Sequence, residues 1–192
     1  MAAAALLAAG CAPNALLSQW KSASYSGRAF DRVLVLAANP DPEIRRVYED
    51  AFVQELAAMG VTAVATHAVV QGEGELPEDY ILKAVSEVHA NGLLIVRMIG
   101  KDARGGAYSL PTLQPDSKTE FYAVYQSGMT VHAPPEPFGY GVYTLETSLW
   151  DASDQALVWS STSQTFQLNK ASAAAKDLAD VAVKALREQQ LL

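Results

Sequence analysis

RVLVLAANPDPEIRRVYEDAFVQELAAMGVTAVAT, residues 32–66, is the stretch whose reading decides the fold. Its first seven residues are a continuous apolar run bounded by turn residues, the mark of a strand buried on both faces. NPDPE then opens a helix. Asp41 is placed to cap it, Pro42 suits the first helical position, and Glu43 favours the positive end of the helix dipole. Ile44, Val47, Tyr48, Ala51, Phe52, Leu56 and Met59 recur at steps of three and four and make one apolar face. Gly60 stands where a left-handed residue ends such a helix, and Val61–Thr66 is a second strand.

Working outward, Leu76-Pro77-Glu78 starts a second helix with Ile81, Val85 and Val88 inward and Asn91-Gly92 at its end. Leu93–Ile99 is a third buried strand, so β-α-β-α-β order calls for parallel strands with right-handed crossovers. The pattern then changes. Lys101–Lys118, with Gly-Gly and two prolines, reads as a long loop. EFYAVYQ, YGVYTLETSLW and ALVWSSTSQTF read as strands, the last two joined in an antiparallel hairpin through residues 151–155. Along the middle one Tyr143, Leu145 and Leu149 share one face, and Glu146 and Ser148 the wetter other. Asn169 is placed to cap a final helix carrying Ala174, Leu178, Val181 and Leu186. The expectation is an α/β fold with α+β character in its C-terminal half. It has a mixed sheet of about six strands and three helices in the order β-α-β-α-β-β-β-β-α, forming one domain over residues 32–192.

The chain has 192 residues and a formal charge of −7, which opposes nucleic acid and anionic lipid as partners because both need a basic face. Its one cysteine, Cys11, forms no internal disulfide. That residue follows the apolar stretch Ala2–Ala9 and the small Gly10, and Pro13-Asn14 next to it oppose a continuing helix. LLAAGCA resembles the lipobox of bacterial lipoproteins, with Ala8 where that motif usually carries Leu. The resemblance implies a shortened signal peptide over residues 1–10, acylation of Cys11, and, with Ala12 rather than Asp following it, outer-membrane sorting. Residues 11–31 then read as a lipidated N-terminus and tether, with Trp20 docking onto the domain.

Catalytic and cofactor motifs are sparse. There is no P-loop, and Gly72-Glu73-Gly74 and Gly139-Tyr140-Gly141 lack the glycine pattern of dinucleotide sites. His67, His89 and His132 have no metal-ligand spacing, and no G-x-S-x-G elbow occurs. Asp151 and Asp154 read as turn formers. Asp41, Glu43, Glu49 and Asp50 read as a solvated helix face, with Arg45 and Arg46 pairing to neighbouring acids. No metal and no cofactor are expected.

One segment invites a contact role. Residues 108–143 concentrate Tyr108, Phe121, Tyr122, Tyr125, Phe138, Tyr140 and Tyr143 around HAPPEP. Tyrosine buries area at small entropic cost, so Tyr108, Tyr122, Tyr125, His132, Phe138 and Tyr140 form a candidate interaction surface. The competing reading packs these rings into the core.

The order of elements, with Arg45-Arg46, Tyr48-Glu49-Asp50, Leu56, Gly60-Val61, Leu145, Leu149-Trp150-Asp151 and Val158-Trp159-Ser160, resembles a family of bacterial periplasmic lipoproteins of unassigned activity. The topology is also similar to the periplasmic domain of the curli-secretion lipoprotein and the N-terminal domain of the Tol-system propeller protein. The resemblance implies a non-enzymatic envelope role, anchored in the membrane by lipid, through self-association or another envelope protein. An alternative is a small-ligand or hydrolytic α/β domain using the loops after Ala38, Thr66 and Gly100, at the carboxyl ends of the parallel strands.

Overall fold

A computed structural model describes residues 16–72, 74–103, 106–113, 119–131, 141–166 and 171–192. Among these residues seven strands form one mixed sheet: β1 (Leu16–Lys21), β2 (Arg32–Ala38), β3 (Thr62–Ala65), β4 (Gly92–Ala103), β5 (Gly106–Ser109), β6 (Gly141–Asp151) and β7 (Leu157–Phe166). Six of them run in the order β1-β7-β6-β4-β2-β3, and β5 pairs with β4 off that path. β2 lies between β3 and β4 and is parallel to both. The remaining pairings are antiparallel. The β-α-β-α-β reading of residues 32–99 and the hairpin after Asp151 are both realised.

Among the described residues five helices accompany the sheet: α1 (Pro42–Ala58), α2 (Thr66–Val69), α3 (Glu78–Glu87), α4 (Phe121–Met129) and α5 (Ala171–Glu188). The expected count was three; α2 is a four-residue turn continuing from β3, and α4 replaces a predicted strand. α1 begins as its sequence dictates, with Asp41 accepting from the backbone N–H groups of Glu43 and Ile44. It ends in a Schellman motif: Gly60 has φ +85°, its N–H donates to Ala57, and Val61 N–H donates to Leu56. α3 ends the same way, except that His89 holds the left-handed position at φ +53°.

Two apolar layers sandwich the sheet. Phe52 and Leu56 of α1 and Leu178, Ala182 and Leu186 of α5 meet Val33, Val35, Leu94, Leu145, Leu149 and Trp159 on one face. Ile81 and Val85 of α3 and Phe121, Val124 and Tyr125 of α4 meet Leu34, Leu36, Ile95 and Trp150 on the other. Leu145 and Leu149 thus share one layer, and Trp150 joins the opposite one, as the period of two requires.

Two segments depart from expectation. EFYAVYQ is helical: Phe121, Val124, Tyr125, Gly128 and Met129 are its buried residues, a 0, 3, 4, 7, 8 spacing that overrides the strand preference of its aromatic and branched residues. Gly128 brings α4 onto the sheet, since a Cβ there would lie 2.6 Å from Ala38 Cβ and 2.8 Å from Arg97 Cβ. The other is the N-terminal tether. Leu16–Lys21 pairs antiparallel with β7 as an edge strand, Ser22 N–H donates to Val158 O at 2.8 Å, and Phe30 N–H donates to Leu191 O at 2.8 Å. Ser18 Oγ sits 2.7 Å from Thr162 Oγ1, a hydroxyl pair across β1 and β7 where apolar alternation is lacking. Trp20, half-buried and opposite Ser160, docks onto the domain as its size suggested. Part of the expected loop after Lys101 is strand: β4 runs on to Ala103, and β5 pairs antiparallel with it. The proposed Asn169 cap lies outside the described residues.

Candidate functional site

The β4-β2-β3 order makes a topological switch point between β2 and β4, because α1 and α3 leave β2 and β3 toward opposite faces. At the carboxyl ends of these strands a ligand-binding α/β domain keeps its crevice. Here the crevice measures about 20 Å³ and is lined by Ala38, Asn39, Tyr48, Arg97, Met98 and Leu145. That is room for about one water molecule. Tyr48 fills it from α1; its hydroxyl has no hydrogen-bond partner among the described residues, and burial pushes its pKa upward.

Two buried polar networks stand beside this crevice and hold its walls. Arg97 of β4 faces Glu146 directly across the β4–β6 register. Its Nε and Nη2 donate to Glu146 Oε2 at 2.7 and 2.5 Å, Nη1 donates to Ser127 Oγ at 2.5 Å, and Nη2 also reaches Pro111 O at 3.2 Å. Glu146 Oε1 accepts the Leu113 N–H at 2.8 Å. One ion pair therefore ties β4, β6, α4 and the 110–113 segment together. With its donors spent on these partners, the guanidinium is a fastening for the sheet rather than a free ligand group.

The second network corrects the reading of α1. Glu49 and Arg45 are not on a solvated face. The Glu49 side chain is 0% exposed and accepts from Ala37 N–H at 3.1 Å, His67 N–H at 2.8 Å and His67 Nδ1 at 2.7 Å. Burial pushes its pKa upward, while the hydrogen bonds from His67 and Ala37 pull it down. The other imidazole nitrogen of His67 lies 3.3 Å from Asp50 Oδ1, so both ring nitrogens are engaged by carboxylates. Such an imidazole steadies β2, α1 and α2. Arg45, also buried, donates to Gly72 O at 3.0 Å and Gly74 O at 3.4 Å. The sequence signal for Glu49 is its place one residue after the inward-facing Tyr48, on the margin of the apolar stripe.

The structure places the candidate aromatics as follows. Tyr125 is wholly buried, and its oxygen accepts the Leu76 N–H at 2.8 Å; burial raises its pKa. Tyr122 is half-buried, donates to Glu75 Oε1 at 3.2 Å and Leu76 O at 3.3 Å, and its ring centroid lies 6.0 Å from that of Tyr125. Both rings fasten α4 to the approach to α3. Tyr108 lies in β5 opposite Lys101. His132, Phe138, Tyr140 and Cys11 lie outside the described residues.

Larger hollows lie elsewhere. A cleft of about 660 Å³ opens at the amino ends of β2 and β4, lined by Tyr25, Arg28, Phe30, His89 and Asp151 among others. Phe30 and Tyr25 stack at 5.5 Å on one wall. A hollow of about 270 Å³ involves Val69 and Tyr80. Exposed large apolar side chains among the described residues are Leu17 (56%), Tyr80 (51%) and Val69 (36%). Leu17 belongs to the β1 edge of the sheet, and Val69 to α2, which continues directly from the opposite edge strand β3. Among the described residues no helix is long and apolar enough to cross a membrane.

No family model matches the chain, and no curated protein matches it. Among solved structures it is similar to the PelC dodecamer from Paraburkholderia phytofirmans, at 17% identity and TM-score 0.50, over 93% of this chain and 99% of that one. A substituted form of the same dodecamer matches at 16% identity and TM-score 0.51, over 88% and 96%. The lipoprotein GNA1162 from Neisseria meningitidis is more distant, at 11% identity and TM-score 0.42, over 82% and 98%. At these identities the likeness is one of fold, and it spans nearly the whole of both chains in the PelC comparison.

Proposed function

We propose that this chain is a non-enzymatic periplasmic lipoprotein domain, anchored to the bacterial outer membrane through Cys11, that works by assembling with copies of itself. The observation that carries this reading is the fold shared, end to end, with a chain that forms a dodecamer. The distribution of exposed apolar groups supports it. Leu17 and the Val69–Tyr80 hollow sit at opposite edges of one sheet, so a copy joins its neighbour head to tail rather than patch to identical patch. Head-to-tail contacts generate rings when the rotation closes. The ligand-binding alternative calls for an open crevice at the carboxyl ends of the parallel strands, and among the described residues the crevice there measures about 20 Å³.

The test is fractionation of cells making the full-length chain, with a lysine-reactive cross-linker added before lysis. The parent protein is expected in the outer-membrane fraction, giving cross-linked bands at successive multiples of 20.5 kDa. Cys11→Ala should move it to the soluble periplasm. Membrane fractionation unchanged by Cys11→Ala would remove the anchor from the account. Cross-linking to a different envelope protein alone would replace self-assembly with a heterologous partner.

A further inference from the structure

From the placement of β1 we infer that the carboxyl end of the sheet is pressed against the bilayer surface, with the β6–β7 turn pointing away; this rests on the acylation of Cys11 proposed above. A tether of twenty residues would leave the domain free to turn. The structure shortens it, because the chain is already fixed in the sheet at Leu16. Five residue steps separate Cys11 from Leu16, a reach of at most about 18 Å even when fully extended.

Strand directions then decide which end faces the membrane. Leu16 lies opposite Ser163, and Ser163 opposite Leu145. Beyond that level β7 continues to Phe166 and β6 reaches back to Gly141, three and four residues further. At about 3.4 Å per residue these extensions carry the sheet roughly 10–13 Å past Leu16. A fully extended link of about 18 Å would therefore bring Cys11 at most about 5–8 Å past that end, which also carries the last residues of β2 and β4.

The opposite orientation is out of reach. To present the other end, the chain before Leu16 would have to double back along β1, whose five steps to Lys21 span about 17 Å. The link would be spent there, and the turn after Asp151 projects beyond, since Lys21 lies opposite Trp159. The two sheet edges, β1 and β3, then face sideways, where the proposed head-to-tail contacts need them.

The experiment uses the full-length acylated protein in phosphatidylethanolamine–phosphatidylcholine vesicles containing a lipid with a nitroxide on its headgroup. Acylated Cys11 has no free thiol, so Asp102→Cys or Ser153→Cys supplies a single labelling position for a fluorophore. Circular dichroism first establishes that each variant keeps the parent fold, and intact mass establishes acylation. Fluorescence at position 102 is expected to be quenched at least twofold more than at position 153. A twenty-residue Gly/Ser insertion after Asn14, with a root-mean-square span of about 25 Å, should erase that difference. Equal quenching at the two positions of acylated protein, or stronger quenching at 153, overturns the orientation while leaving the anchor intact. A purified protein whose mass shows no acyl chains on Cys11 overturns the anchor and the orientation together.

Discussion

Removing the carboxylate of Glu146 should be the most damaging single change in the sheet. The side chains of Arg97 and Glu146 are 6% and 2% exposed, and their pairing joins neighbouring strands at a directly opposed position. Glu146→Ala leaves a buried guanidinium without its counter-charge and strands the Leu113 N–H. Breaking one partner of a buried pair costs about 3–5 kcal/mol. For a domain of this size each kcal/mol moves the melting temperature by about 2–4 °C, so a loss of roughly 10 °C is expected. The assay is urea denaturation followed by circular dichroism, with thermal melts alongside. Arg97→Met combined with Glu146→Met removes both charges and should recover part of the loss. Asp180→Ala, which breaks the exposed Lys184–Asp180 pair on α5, should change nothing measurable and serves as the control. If Glu146→Ala lost less than about 1 kcal/mol, or the double variant fell below the single one, the pair would not be the fastening argued for it.

Three further outcomes follow from the same structure. Gly128→Ala pushes a methyl group against Ala38 and Arg97, so α4 must lift and stability should fall by about 1–3 kcal/mol in the same urea titration; an unchanged midpoint would contradict the close packing. His89→Gly relieves a left-handed backbone at the end of α3 and should stabilise the fold by roughly 1 kcal/mol, read as a raised melting temperature. Glu49 has its pKa raised in the folded state, so its contribution is fully present below the unfolded carboxylate range and is lost as pH rises through the folded value. The parent should therefore gain stability relative to Glu49→Gln as pH falls from 8 toward 5, and a difference that stays flat or reverses would refute that sign.

The parallel half of the fold was legible because its signals are local. Asp41, Pro42 and Gly60 mark the ends of α1 by their own backbone chemistry, and the apolar runs of β2 and β4 need no partner to be recognised as buried. β1 was not legible. Its apolar residues do not alternate, and it becomes a strand because the hydroxyl-rich β7 offers it a ladder more than a hundred residues away. α4 was misread because Phe121, Tyr122 and Tyr125 favour strands locally, and only their packing against Leu34, Leu36 and Ile95 reveals the helical period. Glu49 escaped for a related reason: a carboxylate beside an apolar stripe looks solvated until the backbone N–H groups of Ala37 and His67 are seen to converge on it. The aromatic segment divides between these cases, with Tyr125 in the core and Tyr122 at its margin.

Self-assembly is the central claim, and the mass of the particle in solution tests it most directly. Sedimentation of the full-length acylated chain in a mild detergent, corrected for bound detergent, should give a single species at a whole-number multiple of 20.5 kDa well above the monomer. Leu17→Glu on the β1 edge and Tyr80→Glu in the hollow beside Val69 should each reduce that mass while leaving the circular dichroism spectrum unchanged. A monodisperse particle of 20.5 kDa at every concentration tried would contradict the account.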